Sequence, residues 1–319
     1  MGELFAGIDL GGTKIAAALG TAGGEIAASG VIETRGSEGA AAALRRTASL
    51  LDNLASQCGA QAAAIGMGLP GLVDIAGGTA LFLPNLPGQW RDVPVARILG
   101  DEAGRPVYLL NDARMATLGE YTFGAGRRNA TLLMVTIGTG IGGGLVLDGE
   151  LLLGRFGAAG EVGHQTIVPD GPQCTCGNRG CLETLASGTA LAAEGRALVA
   201  NGLAPQLKDM VGDGTVTSQQ MAAAAEAGDA MVGYAIERAA RYLGIGISNA
   251  ITISGVERVV LTGGVASLGE LLLGPIREEI PRRVRMFPTG NIEVTCSTLG
   301  ENAGVLGAIA WAAQKHLQG

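Results

Sequence analysis

Residues 159–183 gather three of the five cysteines, one of the two histidines and three carboxylates, in A-G-E-V-G-H-Q-T-I-V-P-D-G-P-Q-C-T-C-G-N-R-G-C-L-E. Zinc takes imidazole nitrogen and thiolate sulfur in a tetrahedral array, and His164, Cys174, Cys176 and Cys181 supply four such donors. Four protein ligands close the coordination sphere, so a zinc held here would be structural. Glu161 lies three residues before His164, and Glu183 two residues after Cys181. Metal binding would therefore draw both carboxylates and the imidazole around one pocket, a donor set suited to the hydroxyls of a sugar. An imidazole bound to metal through one nitrogen needs an acceptor for the proton on the other, and a ligand oxygen would serve. The C-x-C…G-N-R-G-C spacing with an upstream histidine matches no redox motif.

Three glycine turns, Gly11-Gly12-Thr13-Lys14, Gly138-Thr139-Gly140 and Gly263-Gly264, each follow a strand-like run. Glycine lets backbone N–H groups converge on an anion with no Cβ in the way. Any one of them also fits a tight hairpin; three, in two halves of the chain, suggest a triphosphate held between two domains. Neither G-x-G-x-x-G nor G-x-x-x-x-G-K-[ST] fits them, so the nucleotide site is of another type. Asp9, two residues before the first turn, reads either as a Mg²⁺ ligand facing the phosphates or as a strand-end turn acid. Asp112, in L-L-N-D-A-R-M, is the best general-base candidate and equally fits an N-cap for the helix that follows. His316, near the end of the last helix, reads as a surface residue, and Cys58 and Cys296 as buried apolar side chains.

The elements that must position these groups alternate between periods of two and 3.6 residues. Strands are expected at 4–10, 15–19 and 25–33 as an antiparallel meander, then a helix over 40–57. Strands at 62–69, 79–83 and 106–110, with helices at 93–103 and 113–121, imply a parallel or mixed sheet whose strand ends face the ligand. T-L-L-M-V-T-I-G-T-G-I-G-G-G-L-V-L from residue 131 resembles G-I-D-L-G-G-T-K-I-A-A-A-L near the N-terminus, which suggests an internal duplication. Helices follow at 189–200, 218–227, 229–249, 268–279 (stopped or kinked by Pro281) and 303–316, with strands at 258–261 and 292–296.

A chain of 319 residues with 47% hydrophobic and 16% charged residues supports two folded domains. The net charge of −7 and the lack of a basic run disfavour a nucleic-acid partner. No signal-peptide pattern and no apolar run of membrane-spanning length are present, so a cytoplasmic protein is expected, where clustered cysteines bind metal more readily than they form disulfides.

D-L-G-G-T-K at 9–14, L-N-D at 110–112, G-T-G-I-G-G-G at 138–144, E-V-G-H at 161–164, C-T-C-G-N-R-G-C-L-E at 174–183 and L-T-G-G at 261–264 resemble, in order and spacing, the motifs of the bacterial ROK proteins, sugar kinases and sugar-responsive repressors. The resemblance implies an α/β, actin-like ATPase (ribonuclease H-like) duplicated fold of two domains, with ATP and Mg²⁺ in the interdomain cleft. Residues 1–112 would form the small domain, completed by 303–319, and residues 113–302 the large domain with its zinc loop. By the same likeness Asp112 takes the proton of a hexose 6-hydroxyl, while Asn111, Glu161, His164 and Glu183 hold the sugar, with Gly71 and Asn85 at further sugar-contact positions. P-N-L-P-G-Q-W at 84–90 looks like the glucose version of its segment and favours glucose over fructose, N-acetylmannosamine or allose. A non-catalytic sugar sensor is the other reading. The repressor branch carries a DNA-binding helix-turn-helix ahead of the first glycine turn, which here begins at residue 11, so a DNA-binding role is disfavoured. Family members are commonly homodimers or homotetramers.

Overall fold

The run L-F-A-G-I-D-L is apolar at every position except Asp9, the pattern of a strand covered on both faces, and it forms β1 (Leu4–Leu10) at the centre of a mixed sheet. The computed structural model describes residues 2–83, 86, 90–127, 131–212 and 214–318. β2 (Lys14–Thr21) and β3 (Ile26–Glu33) continue from β1 as the expected antiparallel meander. α1 (Ala40–Cys58) then crosses to β4 (Ala62–Leu69), which pairs parallel with β1. β5 (Leu72–Asp74), β6 (Thr79–Leu83) and β7 (Trp90–Val93) make a small antiparallel sheet, of which β5 and β7 are too short to show a period in the sequence. α2 (Val95–Ala103) starts two residues later than expected because Pro94, with ψ 70°, leads into the helix without belonging to it. β8 (Val107–Asn111) pairs parallel with β4 and runs into α3 (Asp112–Phe123), giving the order β3-β2-β1-β4-β8.

Register decides what this sheet presents. Asp9 lies opposite Gly68 on β4, and Gly68 opposite Leu110 on β8. The carboxyl ends of three adjacent parallel strands therefore fall in one row, with Asp9, Gly71 and Asn111-Asp112 at or just beyond it. That edge is where open α/β sheets place their ligands.

The pattern then repeats. β9 (Leu132–Ile137) and β10 (Ile141–Leu147) form a second antiparallel pair across a glycine turn. After β11 (Glu150–Leu151) and the cysteine segment come α4 (Glu183–Ala186), α5 (Gly188–Ala200), α6 (Pro205–Val211), α7 (Ser218–Glu226) and α8 (Ala230–Ser254). β12 (Arg258–Thr262), α9 (Glu270–Arg283) and β13 (Glu293–Cys296) complete the sheet, with β12 parallel to both β9 and β13. Its order β10-β9-β12-β13 reproduces β2-β1-β4-β8 strand for strand, which supports the duplication. α10 (Ala303–Gln318) ends the chain.

Two compact units result: Met1–Arg128 with Gly149–Ala159 and Thr298–Gly319, and Asn129–Asp148 with Gly160–Ser297. In the first, α10 lies against β1, β4 and α3 at backbone contact: a Cβ on Gly66 would strike the Ala308 carbonyl, and one on Gly307 the Met115 carbonyl. Such close approach requires glycine. In the second, Leu243, Ile247 and Ile251 of α8 are buried in a core built from both sheet and helices. Gly246 on α8 leaves room for fully buried Leu182, between Cys181 and Glu183, so the metal-donor loop is seated on that core.

Pro281 does not stop α9, which continues to Arg283. Proline removes a helical N–H and strains the preceding turn. Here the carboxylate of buried Glu279 accepts from Arg283 at 2.7 Å and from Arg241 of α8 at 2.8 Å, and the Val284 N–H reaches the Ile280 carbonyl. Cys58 and Cys296 are only half-buried, at the margins of the two cores rather than inside them. No helix among the described residues is long and apolar enough to cross a membrane.

Candidate active site

In the second unit, His164 and the three cysteines come together with all four donor atoms within 4.8 Å of one another. Cys176 Sγ lies 3.7 Å from Cys181 Sγ, and Cys174 Sγ 3.7 Å from His164 Nδ1. Two sulfurs bound to one zinc at about 2.3 Å stand roughly 3.8 Å apart in a tetrahedron, so the spacing fits that metal. Chemistry agrees. Burial pushes the Cys174 thiol up to about 12 and raises Cys181 as well, whereas the Asn178 backbone N–H holds Cys176 below the usual thiol range. A divalent cation is what would keep all three as thiolates at neutral pH.

The imidazole has two distinct sides. Nδ1 faces the Cys174 sulfur, with Glu183 Oε1 at 3.8 Å, while Nε2 lies 3.9 Å from Glu161 Oε2. These distances exceed hydrogen bonding, but they set the two carboxylates against the two ring nitrogens, with the His164 and Glu161 side chains 36% and 42% exposed. Glu183 is fixed from behind: its Oε1 accepts from the Cys174 thiol at 3.2 Å and its Oε2 from the Ile141 N–H at 3.3 Å. A Cβ on Gly140 would lie 2.5 Å from Glu183 Oε2. Gly140, expected to serve a phosphate turn, thus makes room for the Glu183 carboxylate.

Gly138 and Thr139 face a different feature. A cavity of about 430 Å³ is lined by both residues, by Gly188, Thr189, Ala192 and Arg196 of α5, by Thr215–Ser218, and by Gly264 and Val265. Pockets that bury small ligands start at about 300 Å³. Gly188 N–H bonds to the Gly138 carbonyl at 2.8 Å and Thr189 Oγ1 to the Thr139 carbonyl at 2.8 Å, which locks the turn after β9 to the N-terminus of α5. Ser187 caps α5, and Thr217 and Gln220 form the expected capping box on α7. Gly263, at φ +92°, closes the turn after β12, where a Cβ would lie 2.5 Å from the Ile137 carbonyl oxygen. Two helix N-termini and two strand-end glycine turns therefore border one cavity, an arrangement that favours anions.

In the first unit the residue that caps α3 is Asn111, not Asp112. Asn111 Oδ1 accepts from the Ala113 and Arg114 N–H groups at 3.0 and 3.3 Å, and its Nδ2 donates to the Gly71 carbonyl at 3.1 Å. Asp112 becomes the first residue of the helix, where the macrodipole favours a carboxylate anion. Arg114, 1% exposed, donates to Asn111 Oδ1 at 3.0 Å and to the Ala159 carbonyl at 2.8 Å. The sequence marks it only as an arginine three residues after the cap.

Asp9 lies beneath this edge, and burial raises its carboxyl above the usual range, with Lys14 opposing the shift. Lys14 itself pairs with Glu301 at 2.8 Å on the surface. Gly11 to Lys14 close the β1–β2 hairpin through a 2.9 Å bond from Gly11 N–H to the Lys14 carbonyl. Gly12 and Thr13 form the exposed tip of that turn. Asn85, expected to contact sugar, lies outside the described residues. A second unforeseen residue is Gly304, in the first turn of α10, whose Cβ would lie 2.6 Å from Asp9 Oδ2 and 2.9 Å from its Cγ. Alanine is the better helix former, so Gly304→Ala leaves α10 intact while displacing Asp9. With Asp9 in the Mg²⁺-ligand role expected from the sequence, a displacement near 1 Å would lower kcat/KM for a Mg²⁺-nucleotide by roughly 10²-fold. Steady-state kinetics with circular dichroism of the variant check this.

The ROK family model matches residues 5–315. A glucokinase of Halalkalibacterium halodurans is 36% identical over 308 residues, 95% of this chain and 93% of that protein. A ROK family glucokinase of Streptomyces griseus, solved in complex with glucose and AMPPNP, is 34% identical with a TM-score of 0.83, covering 98% of this chain and 99% of that one. A xylose repressor of Caldicellulosiruptor bescii is 36% identical over 77% of this chain but 61% of its own length. The repeated β-sheet unit with glycine turns at its strand ends is the actin-like ATPase fold of these kinases. With the E-V-G-H and C-T-C-G-N-R-G-C-L-E residues clustered in space and the family model spanning nearly the whole chain, this protein belongs to the ROK family.

Proposed function

We propose that this chain is an ATP-dependent glucokinase that transfers the γ-phosphate to the 6-hydroxyl of glucose. The observation that carries this reading is the arrangement at His164: Nδ1 lies 3.7 Å from the Cys174 sulfur, the imidazole and three sulfurs cluster within 4.8 Å, and carboxylates at 3.8 and 3.9 Å flank the ring. A sugar ring, with adjacent hydroxyls that both donate and accept, satisfies such a set. Glu161 and Glu183 accept from the hydroxyls, and His164 Nε2–H donates once Nδ1 is engaged. Zinc on His164, Cys174, Cys176 and Cys181 supplies rigidity alone, and its thiolates call for a reducing compartment, the cytoplasm.

Asp112, held at the start of α3 while Asn111 takes the capping role, accepts the proton of the 6-hydroxyl as that oxygen attacks phosphorus. Asn111 and Gly71 shape the same strand edge through their mutual hydrogen bond. Mg²⁺, when bound, neutralises charge on the β- and γ-phosphates, and Asp9 is the carboxylate that would hold it. Gly138, Thr139, Gly263 and Gly264 cradle the triphosphate with backbone donors, next to the cavity along α5. Phosphoryl transfer needs little beyond positioning and charge neutralisation, which these groups provide.

The test is a coupled assay of the purified protein with ATP and Mg²⁺ over glucose, fructose, mannose, N-acetylmannosamine and allose. Glucose is expected to show the highest kcat/KM. Turnover of no hexose would overturn the kinase reading, and a preference for another sugar would overturn the substrate assignment.

A further inference from the structure

Asn111 Oδ1 carries more hydrogen bonds than a helix cap needs. The Ala113 and Arg114 N–H groups reach it at 3.0 and 3.3 Å, which completes the cap, and the Arg114 guanidinium adds a third donor at 3.0 Å. An amide oxygen has two lone pairs, so three donors leave nothing of it for a ligand. Nδ2 has two N–H bonds to give. One goes to the Gly71 carbonyl at 3.1 Å, and the other has no acceptor among the described residues. Asn111 can therefore meet a substrate only as a donor, the opposite sense to the ionised carboxylates of Asp112, Glu161 and Glu183, which accept.

Arg114 makes this arrangement rigid. Burying a cation is costly, and Arg114 is 1% exposed, so its donors must be spent on fixed acceptors. Besides Asn111, its Nε donates at 2.8 Å to the Ala159 carbonyl, 45 residues further along the chain. Ala159 closes its segment of the first unit, two residues before Glu161. A single planar guanidinium thus ties three pieces of that unit together: the strand edge at Gly71, the start of α3 with Asp112, and the segment that leads into Glu161. A lysine ammonium is a point donor on a flexible stem and does not reproduce the fixed fork that spans both acceptors.

We infer that Arg114 is a positioning residue for the sugar, locking Asn111 as a pure hydrogen-bond donor to a hexose hydroxyl; this rests on the kinase reading above, with Asn111 beside the sugar. Arg114→Lys is expected to weaken glucose binding, measured by calorimetry on the full-length protein, by roughly tenfold, the worth of about one hydrogen bond. In the assay KM for glucose should rise by a similar factor while KM for ATP stays unmoved, a split that general damage to the fold would not give. Asn111→Asp serves as the second variant. It keeps an oxygen for the cap and for Arg114 but removes both Nδ2–H donors, so it should lose at least as much glucose affinity. Because Arg114 acts through Asn111, the double variant Arg114→Lys/Asn111→Ala should bind glucose no more weakly than Asn111→Ala alone. Parent-like glucose affinity in Arg114→Lys would overturn the inference, as would parent-like affinity in Asn111→Asp. So would fully additive losses in the double variant, or glucose and AMPPNP binding weakened together. A parent protein that binds no hexose would sink the kinase reading and this one with it, whereas a parent that binds glucose with Arg114→Lys unmoved would sink this one alone.

Discussion

Asp112→Asn lowers kcat for glucose phosphorylation by roughly 10²- to 10⁴-fold, the usual span for removing a general base, while glucose affinity stays within a few-fold of the parent. The substitution is nearly isosteric, and the helix keeps its start because the cap is Asn111, whose Oδ1 accepts from the Ala113 and Arg114 N–H groups. Arg114 also holds Asn111 from the side, at 3.0 Å. An amide at position 112 therefore changes the ability to accept a proton and little else. Glucose binding read by intrinsic fluorescence or calorimetry separates the two effects. Turnover near the parent value would reject Asp112 as the base, and lost glucose binding would place it among the sugar-holding residues instead.

Cys176→Ser should remove zinc, raise KM for glucose by roughly 10- to 100-fold and lower the melting temperature, with kcat much less affected. Cys176 is the exposed cysteine of the cluster, and serine is close to it in size, so packing is preserved and the effect reports on metal. Without the metal, His164 loses its orientation, and Cys174 and Cys181 are left as buried thiols beside Glu183. Elemental analysis of the parent protein should find about one zinc per chain, since the four ligands close one site. A metal-free parent with full stability and activity would contradict this.

Much of the site was legible because its chemistry is local in sequence. C-T-C-G-N-R-G-C with an upstream histidine carries its ligand spacing openly, and the structure brings those four donors within 4.8 Å of one another. Asp9 and Asp112 were legible as acids at strand ends, and the register of β1, β4 and β8 places both along one sheet edge. The duplicated sheet was legible as two glycine-punctuated hairpins.

What escaped depends on contacts between residues far apart in the chain. Gly304 matters only because α10, at the end of the chain, returns to Asp9 near its start. Gly140 looked like part of a phosphate turn, and its second role appears once Glu183 packs against it. The choice between Asn111 and Asp112 as helix cap turns on a one-residue difference in backbone conformation, with Asn111 extended at φ −64°, ψ 144°. Both residue types cap well, so sequence alone does not separate them. Pro281 signals a helix end locally, and the Glu279–Arg241–Arg283 network that carries α9 past it joins two helices.

The most direct measurement is the identity of the product. With glucose, ATP and Mg²⁺, phosphorus and carbon NMR should show glucose 6-phosphate accumulating one-for-one with ADP, and 6-deoxyglucose, which lacks the accepting hydroxyl, should inhibit without being phosphorylated. ADP released without phosphosugar, or phosphate on any hydroxyl other than the sixth, would contradict the hexose kinase reading.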